Sequence, residues 1–360
     1  MSKDNENVPL PVWTTDEPYS APTPFAPDQM VRCDECLRAN PPTRVNCLYC
    51  AAVLPHNETT VNLQKPALRP LEKWEQGYNN ILRPPVANLS AAELAEASDL
   101  LRLRQEDLGR ILAAATPLPL ACAATIDEAR LVQRRLSLLG IDSSIMPDAE
   151  PGTEAAGIVK VRALEIDEAG IYAYQTPEMP FIPVSWPDFV LLVVGRLIVR
   201  RVELKERKGA RAENSILDSS EFVTDETVVD FYARQQATPF RIAANSFDFS
   251  CLGSDKGLLA GENILRLLQL FREHAPQSEY DDSFNSLRKT LEPVWPAEQQ
   301  NESRGWRRER PGKYSIGSVM ELNNEMQFSR YSRLRHHLQT APSDQAAMPL
   351  ASTETIDDDA

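Results

Sequence analysis

The sequence predicts an α+β protein, and three observations predict it. Four of the six cysteines stand in paired C-x-x-C spacing within residues 33–50. Residues 90–146 alternate helix caps with a short apolar strand. Residues 159–252 break into a succession of strand-like runs ahead of one amphipathic helix. The expected architecture is a small zinc-binding hairpin, a β-α-β unit and a β-rich, barrel-like unit closed by a helix, with disordered termini. At 360 residues the chain is long enough for two or three folded units.

Composition narrows the function classes. Apolar residues make up 42% of the chain, enough for a sizeable core. The 28 prolines outnumber the 14 glycines, which points to extended connections. A net charge of −14 disfavours nucleic acid and anionic membrane as partners of the whole chain, leaving only local basic patches for such contacts. The most apolar stretches, Ile111–Ile126 and Phe189–Val199, fall short of the roughly 20 residues a membrane helix needs. The first residues, MSKDNENVPLPVW, show no apolar signal region. Together with paired cysteines of metal-ligand spacing, these features predict a cytoplasmic protein without membrane insertion.

Residues 1–30, rich in Pro, Asp, Glu, Ser and Thr, are expected to be disordered. The cysteine-rich piece spans 31–55. Residues 56–88 form a linker in which Leu71, Trp74, Tyr78 and Ile81 have near-helical spacing and predict a short docking helix. The segment 89–150 holds a helix followed by the β-α-β unit. Ser90 and Glu93 make a capping box that opens one helix running to Pro117. LPLACAA (118–124) reads as a buried strand. Thr125 and Glu128 cap a second helix, ended by Gly140, and Ile141–Met146 reads as a returning strand.

The β-rich unit covers 158–275. Its expected strands are Val159–Ile166, Gly170–Tyr174, Phe181–Val184, Phe189–Leu204, Val228–Tyr232, Phe240–Ala244 and Phe247–Leu252, with a charged insertion at 205–215. Ile264, Leu267, Leu268 and Phe271 give the helix 260–274 one apolar face. Residues 276–338 read as an extended aromatic and basic segment followed by a helix over 318–338. Residues 339–360 read as a disordered acidic tail ending TIDDDA.

The chemistry stated most clearly is metal binding. Cys33, Cys36, Cys47 and Cys50 supply four thiolates from two knuckles, with ten residues between them for a short hairpin. Such a set closes a tetrahedral site around one Zn2+, leaves no position for water, and therefore predicts a structural ion. A piece of about 25 residues cannot bury enough surface to fold alone, so the metal supplies folding energy. The run resembles the short zinc ribbons of bacterial multidomain proteins in its C-x-x-C pairs, in Asn40, in Pro41-Pro42 and in Leu54. Those ribbons carry Gly after each knuckle, where Leu37 and Ala51 stand here. The spacing is also similar to the Ran-binding-protein type of finger, C-x-x-C-x3-N-x6-C-x-x-C. That family's tryptophan before the first cysteine and the Thr-Phe pair of its ubiquitin-binding members are replaced by Val31-Arg32 and Leu37-Arg38.

Two further resemblances concern fold. The 118–146 unit resembles half of a ferredoxin-like regulatory module, which implies ligand sensing or docking; an ordinary packing unit would have the same pattern. Antiparallel strands closed by a helix resemble the outline of a pleckstrin-homology barrel.

One candidate partner surface stands out. In the run 301–313, Arg304, Arg307, Arg308 and Arg310 surround Trp306, a pairing able to hold phosphate and stack a base, or to meet an acidic protein surface. No H-E-x-x-H, G-x-S-x-G, P-loop or G-x-G-x-x-G is present, and the four histidines are His56, His274, His336 and His337. The reading is a non-enzymatic binding or scaffold protein that acts through protein–protein contacts. A nucleic-acid-associated factor using the cysteine-rich piece and the Arg/Trp run is the first alternative. An enzyme of unfamiliar type, with a polar cluster between the 118–146 and 158–275 units, is the second.

Overall fold

The structure, a computed structural model, describes residue 25 and residues 29–44, 46–52, 54–55, 66–71, 75–86, 88–148, 157–176, 179–207, 215–234, 236, 238–310 and 313–340; for 206–207, 215–218, 304–310 and 313–316 it describes the backbone alone. Of the disordered stretches expected at residues 1–30 and 339–360, residues 1–24, 26–28 and 341–360 lie outside the described residues. Two compact units result, the first ending at Lys65 and the second beginning at Pro66.

In the first unit, β1 (Val31–Arg32) pairs with β2 (Ala39–Asn40) in a two-stranded antiparallel sheet. A small cluster of Val31, Cys33, Cys47 and Leu54 is its buried centre. So little apolar material cannot by itself offset the entropy of ordering the chain.

The second unit is a mixed α+β fold. A three-stranded antiparallel sheet has β3 (Tyr78–Leu82) between β4 (Pro119–Ala123) and β5 (Ser143–Pro147). The expected β-α-β unit is present, with helix α3 (Ile126–Leu138) between β4 and β5, but the two strands are parallel only through the antiparallel β3 that separates them. Tyr78–Leu82 is therefore a central strand and not part of a docking helix. Two adjacent asparagines hide its strand pattern. Asn79 and Asn80 are fully buried; both Asn79 amide atoms and the Asn80 NH2 group find partners from other elements, while Asn80 Oδ1 has none among the described residues. Asn79 Oδ1 accepts from Trp295 Nε1 at 2.8 Å, its Nδ2 donates to Asp148 at 2.8 Å, and Asn80 Nδ2 donates to the Ala129 carbonyl at 2.9 Å.

The Ser90 capping box opens α1 (Ala91–Leu101) as expected, with both reciprocal hydrogen bonds made. The single helix expected to reach Pro117 is two. Arg102 adopts left-handed backbone (φ 55°), and α2 (Gln105–Ala113) begins after it. Asp107, in the first turn of α2, pairs with Arg104 and Arg110 and anchors the new start. Thr125 caps α3, and Gly140 (φ 75°) turns the chain after it.

The large sheet contains β6 (Val159–Val161), β10 (Phe189–Arg207), β11 (Ser215–Ala233), β12 (Phe240–Ala243), β13 (Glu279–Asp281), β14 (Glu298–Arg310) and β15 (Lys313–Asn323). Its order is β14-β15-β10-β11-β12-β6, with β13 pairing β10 beside β15. A separate meander holds β7 (Ala163–Ile166), β8 (Gly170–Tyr174) and β9 (Ile182–Ser185). The β-rich unit expected over 158–275 thus gains three strands from beyond residue 275. The topology departs from the pleckstrin-homology outline, since β6–β12 and β10–β13 are parallel pairs.

Strand β10 explains why the second unit has two cores. Leu191, Leu192, Val193 and Val194 are all buried. Side chains alternate across a strand, so Leu191 and Val193 join the core shared with β3–β5. Leu192 and Val194 join the core beneath α4 (Ala260–His274), with Ile264, Leu267, Leu268 and Phe271. Gly195 continues β10 where a Cβ would come within 2.4 Å of the Phe328 ring, so the sheet admits α6 (Glu325–Thr340) only through a glycine.

Three further expectations change. Phe247–Leu252 is not a strand; a 3-10 segment covers Phe249–Asp255. Residues 276–318, read as one extended aromatic and basic segment, contain β13, α5 (Phe284–Leu291), β14 and the start of β15. The last helix starts at Glu325 rather than at Ser318 and continues to Thr340, into the stretch assigned to the tail. An asparagine pair makes the switch. Asn323 Oδ1 accepts from the Glu325 N–H, while Asn324 bridges the Ile198 N–H and the Arg196 carbonyl of β10.

Candidate metal centre

Cys33, Cys36, Cys47 and Cys50 converge, with all four sulfur atoms within 4.8 Å of one another. The Cys33 and Cys50 sulfurs are 3.6 Å apart, and those of Cys36 and Cys47 are 3.5 Å apart. A cluster of four thiols this compact can present every sulfur to one metal ion.

The local backbone explains the convergence. Each C-x-x-C pair is a tight turn of the same design. In the first, the Leu37 N–H donates to the Cys33 carbonyl (2.9 Å) and the Cys33 N–H to the Arg38 carbonyl (3.0 Å). In the second, the Ala51 N–H donates to the Cys47 carbonyl (3.0 Å) and the Cys47 N–H to the Ala52 carbonyl (2.8 Å). Both turns need left-handed backbone one residue after the second cysteine. Leu37 (φ 59°) and Ala51 (φ 60°) supply it despite the steric cost that glycine would avoid.

Asn40 joins the two turns. It is fully buried; its Oδ1 accepts from the Leu48 N–H at 2.8 Å, and its Nδ2 donates to the Arg38 carbonyl at 2.9 Å and approaches Cys47 Sγ at 3.4 Å. The Tyr49 N–H also points at Cys47 Sγ, at 3.4 Å. Burial pushes the Cys47 thiol up, but donation from the backbone of Tyr49 and Cys50, and then from Cys36 and Asn40, outweighs it and brings the group down to about 6. Cys50 goes the other way: the Ala52 N–H favours its thiolate, yet burial and the three neighbouring sulfurs push it up to about 12. Thiol groups that share protons in this way release them when a cation takes their place. Sequence pattern marked Asn40 only as part of a resemblance; its two-sided role depends on the approach of Leu48, which spacing does not show.

Around the cluster, Leu37, Leu48 and Tyr49 are 64%, 52% and 56% exposed, and the Arg38 guanidinium lies over the Tyr49 ring at 4.7 Å. His56 lies outside the described residues.

The second candidate, Arg304, Trp306, Arg307, Arg308 and Arg310, lies on β14, paired along β15. The run belongs to the edge strand of the large sheet.

A cleft of about 710 Å³ in the second unit is lined by Leu101, Leu120, Cys122, Val294, Met326 and, at its polar side, Asp148 with Arg330 and Arg333. Arg330 pairs with Asp148 at 3.0 Å and Arg333 donates to the Asp148 carbonyl at 3.2 Å, so these charges are engaged with each other. Burial, and then the Asp148 carboxylate, push the Cys122 thiol up to about 12; burial pushes Cys251 up to about 11. Both are protonated at neutral pH and make poor nucleophiles.

Among the described residues, no helix is long and apolar enough to cross a membrane. No protein-family model, no curated protein and no solved structure matches the chain.

Proposed function

We propose that residues 31–55 form a structural zinc ribbon and that the chain is a non-enzymatic, cytoplasmic binding or scaffold protein working through protein–protein contacts. The arrangement of the four sulfurs carries the zinc assignment. A tetrahedron with Zn–S bonds of about 2.3 Å has sulfur–sulfur edges of about 3.8 Å. The Cys33–Cys50 and Cys36–Cys47 pairs, at 3.6 and 3.5 Å, are already near that edge. Four soft thiolates without a carboxylate or imidazole favour zinc over hard cations. All four positions of a tetrahedral ion would be protein ligands, which suits a folding role and leaves no place for a reacting water.

Support for a protein partner comes from the knuckle tips. Leu37, Leu48 and Tyr49 expose apolar surface on a piece whose interior is little more than its metal cluster. Apolar and aromatic side chains held on a rigid turn are what protein interfaces are enriched in.

Two measurements test the proposal. The purified protein should contain about one zinc per chain, and Cys36→Ser should lose it; less than about 0.3 equivalents without chelator treatment would overturn the ribbon assignment. Affinity purification from native cells should recover protein partners with the wild type, and fewer with Leu48→Asp/Tyr49→Asp at full zinc content. An unchanged partner set would remove the ribbon from the interface.

A further inference from the structure

The meander β7–β9 turns one face to a core and the other to solvent. Leu164, Ile171, Ala173 and Val184 point inward and are buried. Side chains alternate across a strand, so Glu165, Tyr172, Tyr174 and Pro183 lie on the outer face. The register sets out two rows there. One reads Glu165–Tyr172–Pro183; the other reads Ala163–Tyr174, and Phe181, just before β9, continues it. Ring contacts place Phe181 on this face beside both tyrosines. It meets Tyr172 edge to face with centroids 5.0 Å apart, and Tyr174 with centroids 6.0 Å apart. Phe181 is 48% exposed, and Pro183 is exposed as well. The Tyr172 hydroxyl donates to Asp167 at 2.9 Å, and Asp167 accepts from the Ala169 and Gly170 N–H groups, so the β7–β8 turn holds that ring in place.

Charge around the rings has one sign. Residues 163–185 contain Glu165, Asp167, Glu168 and Glu178 and no lysine or arginine. Glu165, Asp167 and Glu168 are exposed at the Tyr172 end of the face. A contiguous aromatic surface left in water beside such a rim marks an interaction site.

We propose that this face of the meander binds a proline-rich peptide in the polyproline II conformation, with a basic residue of the peptide directed to the carboxylates at the Tyr172 end. The spacing fits. Tyr172 and Tyr174 are two residues apart on one strand, about 6.7 Å. Residues two apart in polyproline II rise about 6.2 Å and occupy adjacent ridges of a three-fold helix. Phe181, standing edge-on between the tyrosines, divides the surface into notches for those ridges. Such a peptide is already extended before it binds, so docking orders little chain. Aromatic-lined grooves take proline-rich segments in this way.

Two other occupants fit less well. An aromatic cage for a methylated ammonium needs space between its rings, and here Phe181 is in contact with both tyrosines. A peptide added as a further strand would pair along β9, the edge of the meander, where Pro183 removes a donor. The chain's own proline-rich run at 8–28 holds Asp16, Glu17 and Asp28 and no cation, so it lacks the charge this rim calls for. The surface belongs to the second unit and stands or falls independently of the ribbon.

The test uses full-length, zinc-loaded protein and fluorescein-labelled peptides followed by anisotropy. One peptide has about ten prolines and then two arginines, the second has the prolines alone, and the third is a glycine–serine chain of equal length ending in two arginines. The proline–arginine peptide should bind with a Kd below about 1 mM, and at least about fivefold more tightly than either control. Phe181→Ala should weaken that binding about fivefold or more. Phe181→Leu keeps apolar bulk without a ring; it should also weaken binding, and it serves if the alanine variant fails to fold. Glu165→Gln/Glu168→Gln should reduce the advantage of the arginine-bearing peptide over the prolines alone. Thermal melting checks the folding of each variant. Absence of binding, equal binding of the glycine–serine peptide or of the prolines alone, or folded Phe181 variants that bind like the wild type would overturn the proposal. Tighter binding of a trimethyllysine peptide than of the proline–arginine peptide would replace it with an ammonium site.

Discussion

Replacing Asn40 with alanine should loosen the metal centre without touching a ligand. Asn40 is fully buried and serves three groups: the Leu48 N–H, the Arg38 carbonyl and Cys47 Sγ. Alanine leaves all three without that partner. A hydrogen bond of this kind contributes about 1 kcal/mol net, and the contact to sulfur contributes less, so the loss is about 2–3 kcal/mol. That agrees with the roughly 10–100-fold drop in metal affinity that follows loss of a residue orienting a ligand. Asn40→Asp makes a sharper comparison. It keeps the acceptor for the Leu48 N–H, loses both donors, and sets a negative charge against Cys47 Sγ. It should bind zinc no better than Asn40→Ala. The assay is competition against a chromophoric zinc chelator at fixed pH. An Asn40→Ala protein within twofold of the wild type, or an Asn40→Asp protein clearly tighter than Asn40→Ala, would refute the role given to this side chain.

Other expectations follow from the same geometry. Ala51→Gly removes a side chain from left-handed backbone at φ 60° and should tighten zinc binding by up to about 1 kcal/mol, read in the same competition assay; weaker binding would show that the methyl group packs. In the second unit, Arg241 and Asp230 form a buried ion pair at 2.7 Å, with their side chains 3% and 1% exposed. Arg241→Met should cost about 3–5 kcal/mol in denaturant unfolding because it strands a buried carboxylate, whereas Arg241→Met/Asp230→Leu should recover most of that loss. Asp107 is held below its ordinary value, first by its hydrogen bond from Arg104, despite burial. A depressed folded value stabilises the fold above the unfolded carboxylate's pKa of about 3.9 and loses that effect as pH falls through the folded value. Asp107→Asn should therefore be less stable than the wild type at pH 7 and converge with it in acid; a deficit that persists at pH 2 would assign the effect to packing.

Local chemistry determined a definite part of this protein. Two C-x-x-C pairs state a metal site, because four thiolates at that spacing have few other uses. Ser90 with Glu93, and Thr125 before Glu128, state helix starts, because the bonds that cap a helix lie within four residues of each other. Gly170–Tyr174 and Ala260–His274 were readable for the same reason, since period-2 and period-3.6 patterns are carried within the element itself.

The tertiary structure decided everything that depends on partners far along the chain. Tyr78–Leu82 is a strand because β4 and β5 receive it and because Trp295 and Asp148 satisfy Asn79. The charged residues 205–207, 298–310 and 313–323 are strands because each edge found another to pair with; the polar alternation of such a ribbon looks like loop when read alone. Asn40 became the link between the knuckles only once the Leu48 N–H arrived beside it. Arg207 and Arg307 came into one row, on either side of Ser315, only when β10 and β14 were both laid against β15. Hydrogen bonds between distant strands carry no local signal, so pairing and register, and the surface chemistry they assemble, belong to the folded molecule.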